Sequence, residues 1–173
     1  MNEVLNCLET RRSVRKYLPK QIADAELNAI LGAGIYAPTA MGRQSPKIVV
    51  LQKPEDVAEL ERMNAAVLGN PDSHPFYGAP TVLVVLADAK AGTAVEDGSL
   101  VLGNLMNAAH ALGVGSCWIH RAREEFASDE GKALLKRWGI EGAWVGVGHC
   151  ILGYAAEPAA PARPRKADYI VRV

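Results

Sequence analysis

At 173 residues with 49% hydrophobic side chains, the chain carries enough apolar content for one packed core. Its 19 Lys and Arg balance 19 Asp and Glu, so charge gives no reason to expect a nucleic acid or an acidic membrane as partner. No segment reads as a membrane-spanning helix and the N-terminus lacks a signal peptide's basic start and apolar core, so a single cytoplasmic domain over 1–173 is the expectation.

Val4, Leu5 and Leu8 fall on one helical face and predict a first helix ending near Thr10. Asp24 reads as the cap of a second helix, with Glu26 in its first turn and Leu27, Ile30 and Leu31 inside, fading near Gly34. A loop rich in turn residues follows over 37–46, then a buried strand over 48–51. Pro54 suits the first position of a third helix carrying Val57, Leu60 and Met63, and 64–80 reads as a long loop. The strongest strand is 81–86. The strongest helix is 95–112, whose apolar residues spread over more than one face and hint at a subunit interface. Glycines 113 and 115 end that helix; 116–119 is a short strand, Ser128 caps another helix, and 144–152 is a last strand weakened by glycines. Alternating strands and helices set the class as α+β with α/β character.

The charge distribution is less even than the totals. From Arg11 to Lys20 there are five cations and no carboxylate, with Ser13 among them. Guanidinium forks beside a hydroxyl match the acceptor oxygens of a phosphate monoester. A lone run of this kind is more often a solvated helix end, so it needs a second feature. Arg163, Arg165 and Lys166 supply one, in a proline-rich segment held extended and followed by the strand-like run 169–173. Two cationic clusters at opposite ends of a neutral chain are expected to converge on one dianionic ligand. Cys7, Cys117 and Cys150 form neither a zinc pattern nor a disulfide framework and read as three buried thiols in a reducing compartment. His110 and His149 read as packed or interface residues; His120 is the one histidine worth testing at a site.

Four blocks in order resemble the nitroreductase family of FMN-dependent oxidoreductases: Arg11-Arg12-Ser13-Val14-Arg15-Lys16-Tyr17; the loop from Ala37 to Pro46; Ala108 to Trp118; and Gly148 to Tyr154 with the Arg163-Pro164-Arg165 tail. The resemblance implies a small mixed sheet flanked by helices, a long interface helix, and a homodimer with FMN where the subunits join. Arg11, Arg12, Ser13 and Arg15 would contact the flavin's phosphate, ribityl chain and ring edge, with Arg15 the candidate to stabilise the N1/C2 edge. Pro38, Thr39 and Ala40 of the other subunit would line the ring. Gly115 and Ser116 would approach it with backbone, and Arg163 and Arg165 would close on the phosphate. The segment 169–173 would join a sheet edge of the partner. Gly42 stands where the family usually has an asparagine that hydrogen-bonds the ring, a contact that is absent here unless Arg43 or Gln44 replaces it.

The implied chemistry is ping-pong hydride transfer from NAD(P)H through the flavin to a nitro, quinone or related small acceptor. No Gly-x-Gly-x-x-Gly follows a strand, so NAD(P)H is expected only as a transient donor. No metal is expected. Two other readings remain: a specialised flavin enzyme with another donor or substrate, or a non-catalytic FMN-binding or sensing protein. The chain is short for the family, so the insertions that roof longer members' sites are expected to be missing.

Overall fold

Local signals at the helix ends account for most of the element boundaries in the computed structural model, which describes residues 2–173. Asn2 caps α1 (Glu3–Thr10), its Oδ1 accepting from Val4 N at 2.9 Å. In α2 (Asp24–Ile35) the cap is Ala23 rather than Asp24, and Glu26 reaches back to accept the Ala23 N–H at 2.9 Å. Pro54 opens α3 (Pro54–Leu68), which runs further than its sequence pattern predicts because Met63, Asn64 and Ala65 are buried. Gly69, at φ +76°, closes it, and the expected long loop shrinks to 69–80. The long helix is α4 (Ala94–Ala111). A short α5 (Ala122–Ala127), not legible from periodicity, precedes α6 (Asp129–Arg137), where Ser128 Oγ accepts from Gly131 N at 3.0 Å.

The strands β1 (Pro46–Leu51), β2 (Thr81–Asp88), β3 (Gly115–Ile119) and β4 (Trp144–Gly153) form one sheet in the order β1-β2-β4-β3. All three ladders are antiparallel. Because β2 and β3 both run against β4, they are parallel to each other, and α4 is the crossover of a split β-α-β unit. That unit is the source of the α/β signature in the sequence. Among the described residues parallel pairing appears only at an isolated bridge between Ser13 and Ser116, so the mixed character of the sheet is confined to that edge.

The sheet is covered on both faces. Leu83, Val85 and Ala87 face α2 and α4, against Ile30, Leu102 and Leu105. Val82, Val84 and Leu86 face the other way, against Leu60, Phe126 and Leu134. The period-2 alternation of β2 thus feeds two cores, which is why its sequence is continuously apolar. β1 lies at an edge and is only partly buried, less so than its apolar run predicts.

One surface is left uncovered. α1 buries no residue, and Val4, Leu5 and Leu8 are exposed. Val4 and Leu8 line a cleft between α1 and α4 together with Ala33, Asn104, Asn107 and Ala108; Leu100 of α4 is also exposed. An apolar face of this kind marks an interaction surface.

Candidate functional site

The open edge of β3 seats the first cationic cluster. Leaving α1, the chain runs beside this edge: Val14 N donates to Ser116 O at 2.9 Å, and Ser13 bridges Ser116. On its other flank Ala156 N donates to Lys16 O at 3.0 Å and Leu18 N to Tyr154 O at 2.9 Å. The Tyr17 hydroxyl, pushed far up in pKa by burial, donates to Val14 O at 2.7 Å. Residues 13–18 are therefore fixed between β3 and the chain leaving β4. Gly115 permits this closeness: a Cβ there would lie 3.0 Å from both Gly153 O and Val14 Cγ2. Val14 packs inward, so strand alternation turns Ser13 and Arg15 the other way.

The cations divide by what already holds them. Arg12 donates to Glu9 O at 2.8 Å and Arg11 O at 2.6 Å, placing a positive charge on the last carbonyls of α1. Lys16 is paired with Glu157 at 3.0 Å. Arg15 is exposed. Arg11 is half-buried, and its Nη1 is shielded from solvent with no hydrogen-bond partner among the described residues. A buried donor left unpaired costs about 1–3 kcal/mol, more when charged, and an oxyanion removes that cost. A cleft of about 170 Å³ opens between Ser13–Lys16 and the chain from Glu157 to Ala160, with Arg15 and Lys16 as its cations. His110, at the end of α4, lies with Nε2 2.9 Å from Thr10 Oγ1. Burial, with Arg11 and Arg12 nearby, holds its pKa below the usual histidine value, so the ring is neutral at pH 7.

The second predicted segment sits at the opposite end of α4. Its turn residues form a short 3-10 helix (Ala40–Gly42), and Met41, Gly42 and Gln44 all have positive φ, at 56°, 66° and 51°. Thr39 Oγ1 accepts from Gln44 N at 3.0 Å. Pro38, Gly42 and Gln44 are exposed; Thr39 and Ala40 are half-buried. A cleft of about 310 Å³ lies against this loop, lined by Thr39, Gln44, Ile48 and Val101. Asp97, buried in the first turn of α4, holds the loop, accepting from Ala40 N at 3.0 Å, Ser45 Oγ at 2.8 Å and Thr93 Oγ1 at 3.3 Å. Burial alone would raise its pKa; the three hydrogen bonds outweigh that and hold it below the ordinary value. Its sequence position reads only as a helix-dipole partner, and nothing in the local pattern signals the loop contact.

So one protomer brings Arg11–Arg15 together with Gly115 and Ser116, but not with the 38–44 loop. Asp97 and His110 mark the two ends, thirteen residues and about 20 Å apart along α4. Arg163 and Arg165 are exposed on the extended tail, and the cleft beside Ser13 takes its second wall from 157–160 instead. Within one protomer, therefore, the two cationic segments do not line a common cleft. The run 169–173 forms no strand and is exposed, since strand geometry needs an edge to pair with and the tail meets none in its own chain.

The remaining candidates are structural. His149 is fully buried with Nε2 2.5 Å from Glu125 Oε2, between the edges of Phe76 and Phe126. Phe76, within the expected long loop, is core at 1% exposure; Tyr77 is exposed. His120 is exposed, and its carbonyl accepts from Asn64 Nδ2. Among the described residues no group of three or more His, Cys, Asp or Glu is placed to hold a metal. Cys117 and Cys150 are buried, whereas Cys7 is only half-buried and contacts Asn107 O at 3.3 Å. Among those residues no helix is long and apolar enough to cross a membrane.

The fold and site define an α+β domain whose split β-α-β unit carries a cationic segment at one sheet edge and a clamped loop at the far end of its crossover helix. The nitroreductase family profile matches residues 8–77 and 70–154, and the chain belongs to this family. A protein of Methanothermobacter thermautotrophicus, provisionally named an NADH dehydrogenase/NAD(P)H nitroreductase, is 30% identical over 67% of this chain; the match spans 60% of that relative's length. An FMN-bound nitroreductase of Bacteroides fragilis superposes with a TM-score of 0.91 at 33% identity, covering 100% of both chains. An FMN-bound nitroreductase of Desulfitobacterium hafniense gives 0.89 at 29% identity, over 100% of this chain and 99% of that one.

Proposed function

We propose that the protein is a homodimeric FMN-dependent oxidoreductase that takes hydride from NAD(P)H and passes it to a nitro, quinone or related small acceptor. The observation that carries this reading is the buried Nη1 of Arg11, without a hydrogen-bond partner among the described residues, at the start of the segment that carries Ser13 and Arg15. It fits a phosphate monoester: a cation without a partner among the described residues, a hydroxyl two residues further along the chain, and a sheet edge that holds that hydroxyl's backbone. FMN, when bound, supplies the hydride chemistry. Arg11 and Ser13 bind its phosphate end. Arg15, exposed and free to turn, places positive charge at the ring's N1/C2 edge, where it favours the anionic reduced form. Gly115 and Ser116 present backbone close to the ligand.

The dimer follows from the separation along α4. Pro38, Thr39, Ala40 and Gln44 face the same ligand as Arg11 only if a second copy supplies them. The exposed apolar residues Val4, Leu5 and Leu8 of α1 support that association. Arg163 and Arg165 would then close on the phosphate, and 169–173 would find the open edge of β1 in the partner. Three free thiols suit a cytoplasmic location.

Gly42 sets the competing reading. It presents no side chain and has open space around it, so the ring loses the polar contact that the family's usual asparagine makes. A specialised flavin enzyme, or an FMN-binding protein without turnover, shares the fold and this departure. The test is the purified protein itself. Yellow colour from one FMN per subunit, bleached by NAD(P)H and restored by a nitroaromatic or quinone, is the expected result. Flavin that NAD(P)H leaves oxidised favours the competing reading, and a colourless protein that takes up no FMN sinks both.

A further inference from the structure

We infer that Asp97 is a positioning residue: its buried carboxylate clamps the 39–45 loop and so sets the wall that this loop presents to the flavin. The inference rests on the reading of the protein as an FMN enzyme. Among the described residues no cation joins the network of Asp97. The charge is held instead by the N–H of Ala40, by two hydroxyls, and by the positive end of α4, in whose first turn it lies. Ala40 and Ser45 are five residues apart, and both donate to the same carboxylate, Ala40 to Oδ1 and Ser45 to Oδ2. Four residues must therefore reverse direction between them. Gln44 N closing on Thr39 Oγ1 tightens the turn again.

The backbone records the effect. Met41 and Gln44 sit in the left-handed region without being glycine, a conformation that is costly unless the surroundings impose it. Met41 is 85% exposed, so its own packing does not impose it. The carboxylate holds the loop at both ends, at Ala40 N and Ser45 Oγ, while Ser45 O also accepts from Asp88 N at 3.0 Å. Thr39 and Gln44, which line the neighbouring cleft, take their directions from the turn it closes.

The experiment compares wild type, Asp97→Asn and Arg11→Ala in three measurements: tryptic cleavage after Arg43 in the FMN-free protein, the FMN dissociation constant, and the visible circular dichroism of bound flavin. Arg43 is exposed in the middle of the loop, and cleavage rate follows how often the loop opens. Asp97→Asn should be cut at Arg43 about ten-fold faster, bind FMN about ten-fold more weakly and show an altered flavin spectrum. Arg11→Ala should weaken FMN while leaving the cleavage rate and the spectral shape as in wild type. Equal cleavage in Asp97→Asn, or FMN bound with wild-type affinity and spectrum, overturns the inference. Should Asp97→Asn fail to fold, Ser45→Ala removes one donor alone and is expected to shift cleavage and spectrum in the same direction, less far; no shift overturns the clamp. If wild type takes up no FMN, the functional reading is what fails, and cleavage at Arg43 then decides the clamp by itself.

Discussion

His110 Nε2 lies 2.9 Å from Thr10 Oγ1, joining the last turn of α4 to the residue that precedes the cationic segment. α1 has no buried side chain of its own, so this contact and that of Cys7 with Asn107 hold it on α4. The end of the crossover helix thereby fixes where Arg11 begins.

The histidine is expected to report on ligand binding. Burial, then Arg11 and Arg12, depress its pKa in the free protein, so nuclear magnetic resonance should show it titrating below the ordinary 6.5. A phosphate bound beside Arg11 offsets the two cations, and the same signal should move up when FMN is added. The stability consequence has a definite sign. A depressed histidine pKa means the unfolded chain binds the proton more tightly, so stability falls as pH drops through 6.5 and is unaffected above it. His110→Gln should remove that part of the acid sensitivity.

Arg11→Ala and Ser13→Ala should each weaken FMN retention, the arginine more. A charge-assisted contact is worth about 1.5–3 kcal/mol, or roughly ten- to a hundred-fold in affinity. Arg12→Ala should act mainly on α1, because its guanidinium is already engaged by Glu9 O and Arg11 O. Fluorescence titration of FMN against each variant checks this, and equal affinities for wild type and Arg11→Ala would remove that side chain from the site.

Gly115→Val should disturb the seat of the cationic segment. Even a Cβ at this position lies 3.0 Å from Gly153 O, a backbone atom that cannot step aside. Overpacking of this kind costs about 1–3 kcal/mol. Thermal denaturation should show the loss, and FMN affinity should fall with it because Val14 and Ser13 are displaced together.

Glu125→Ala should be among the most damaging single changes far from the cleft. It leaves His149 Nε2 fully buried without its hydrogen-bond partner, a class of change costing about 1–3 kcal/mol. Denaturant unfolding measures it, with FMN affinity of the folded fraction expected to stay near wild type.

Removal of residues 161–173 separates folding from assembly. These residues are exposed and outside both core clusters, so the truncated chain should keep its fold. It should lose FMN affinity through the absence of Arg163 and Arg165, and sedimentation should show weaker dimerisation.

Several elements were legible because their signals are local. Pro54 at the start of α3, Ser128 before α6 and the apolar run of β2 each act through their immediate neighbours. The boundaries that were missed depend on distant packing. α3 continues past Asn64 because that side chain donates to His120 O and accepts from Arg121, more than fifty residues away. β1 reads as a buried strand yet lies at an edge, since an apolar run does not say which side of a sheet will be covered.

The order of residue types along the chain was enough to determine the α+β class, the family and the two cationic segments, because turn chemistry, periodicity and charge spacing are properties of neighbours in sequence. Only the tertiary structure decided that Arg11 carries the orphaned donor while Arg12 caps a helix, and that Asp97 belongs to the loop rather than to its helix end alone. It also decided that the two halves of the candidate site lie at opposite ends of α4. Hydrogen-bond partners and burial are set by which distant segments the folded chain brings within about 3 Å, and no local pattern encodes that distance.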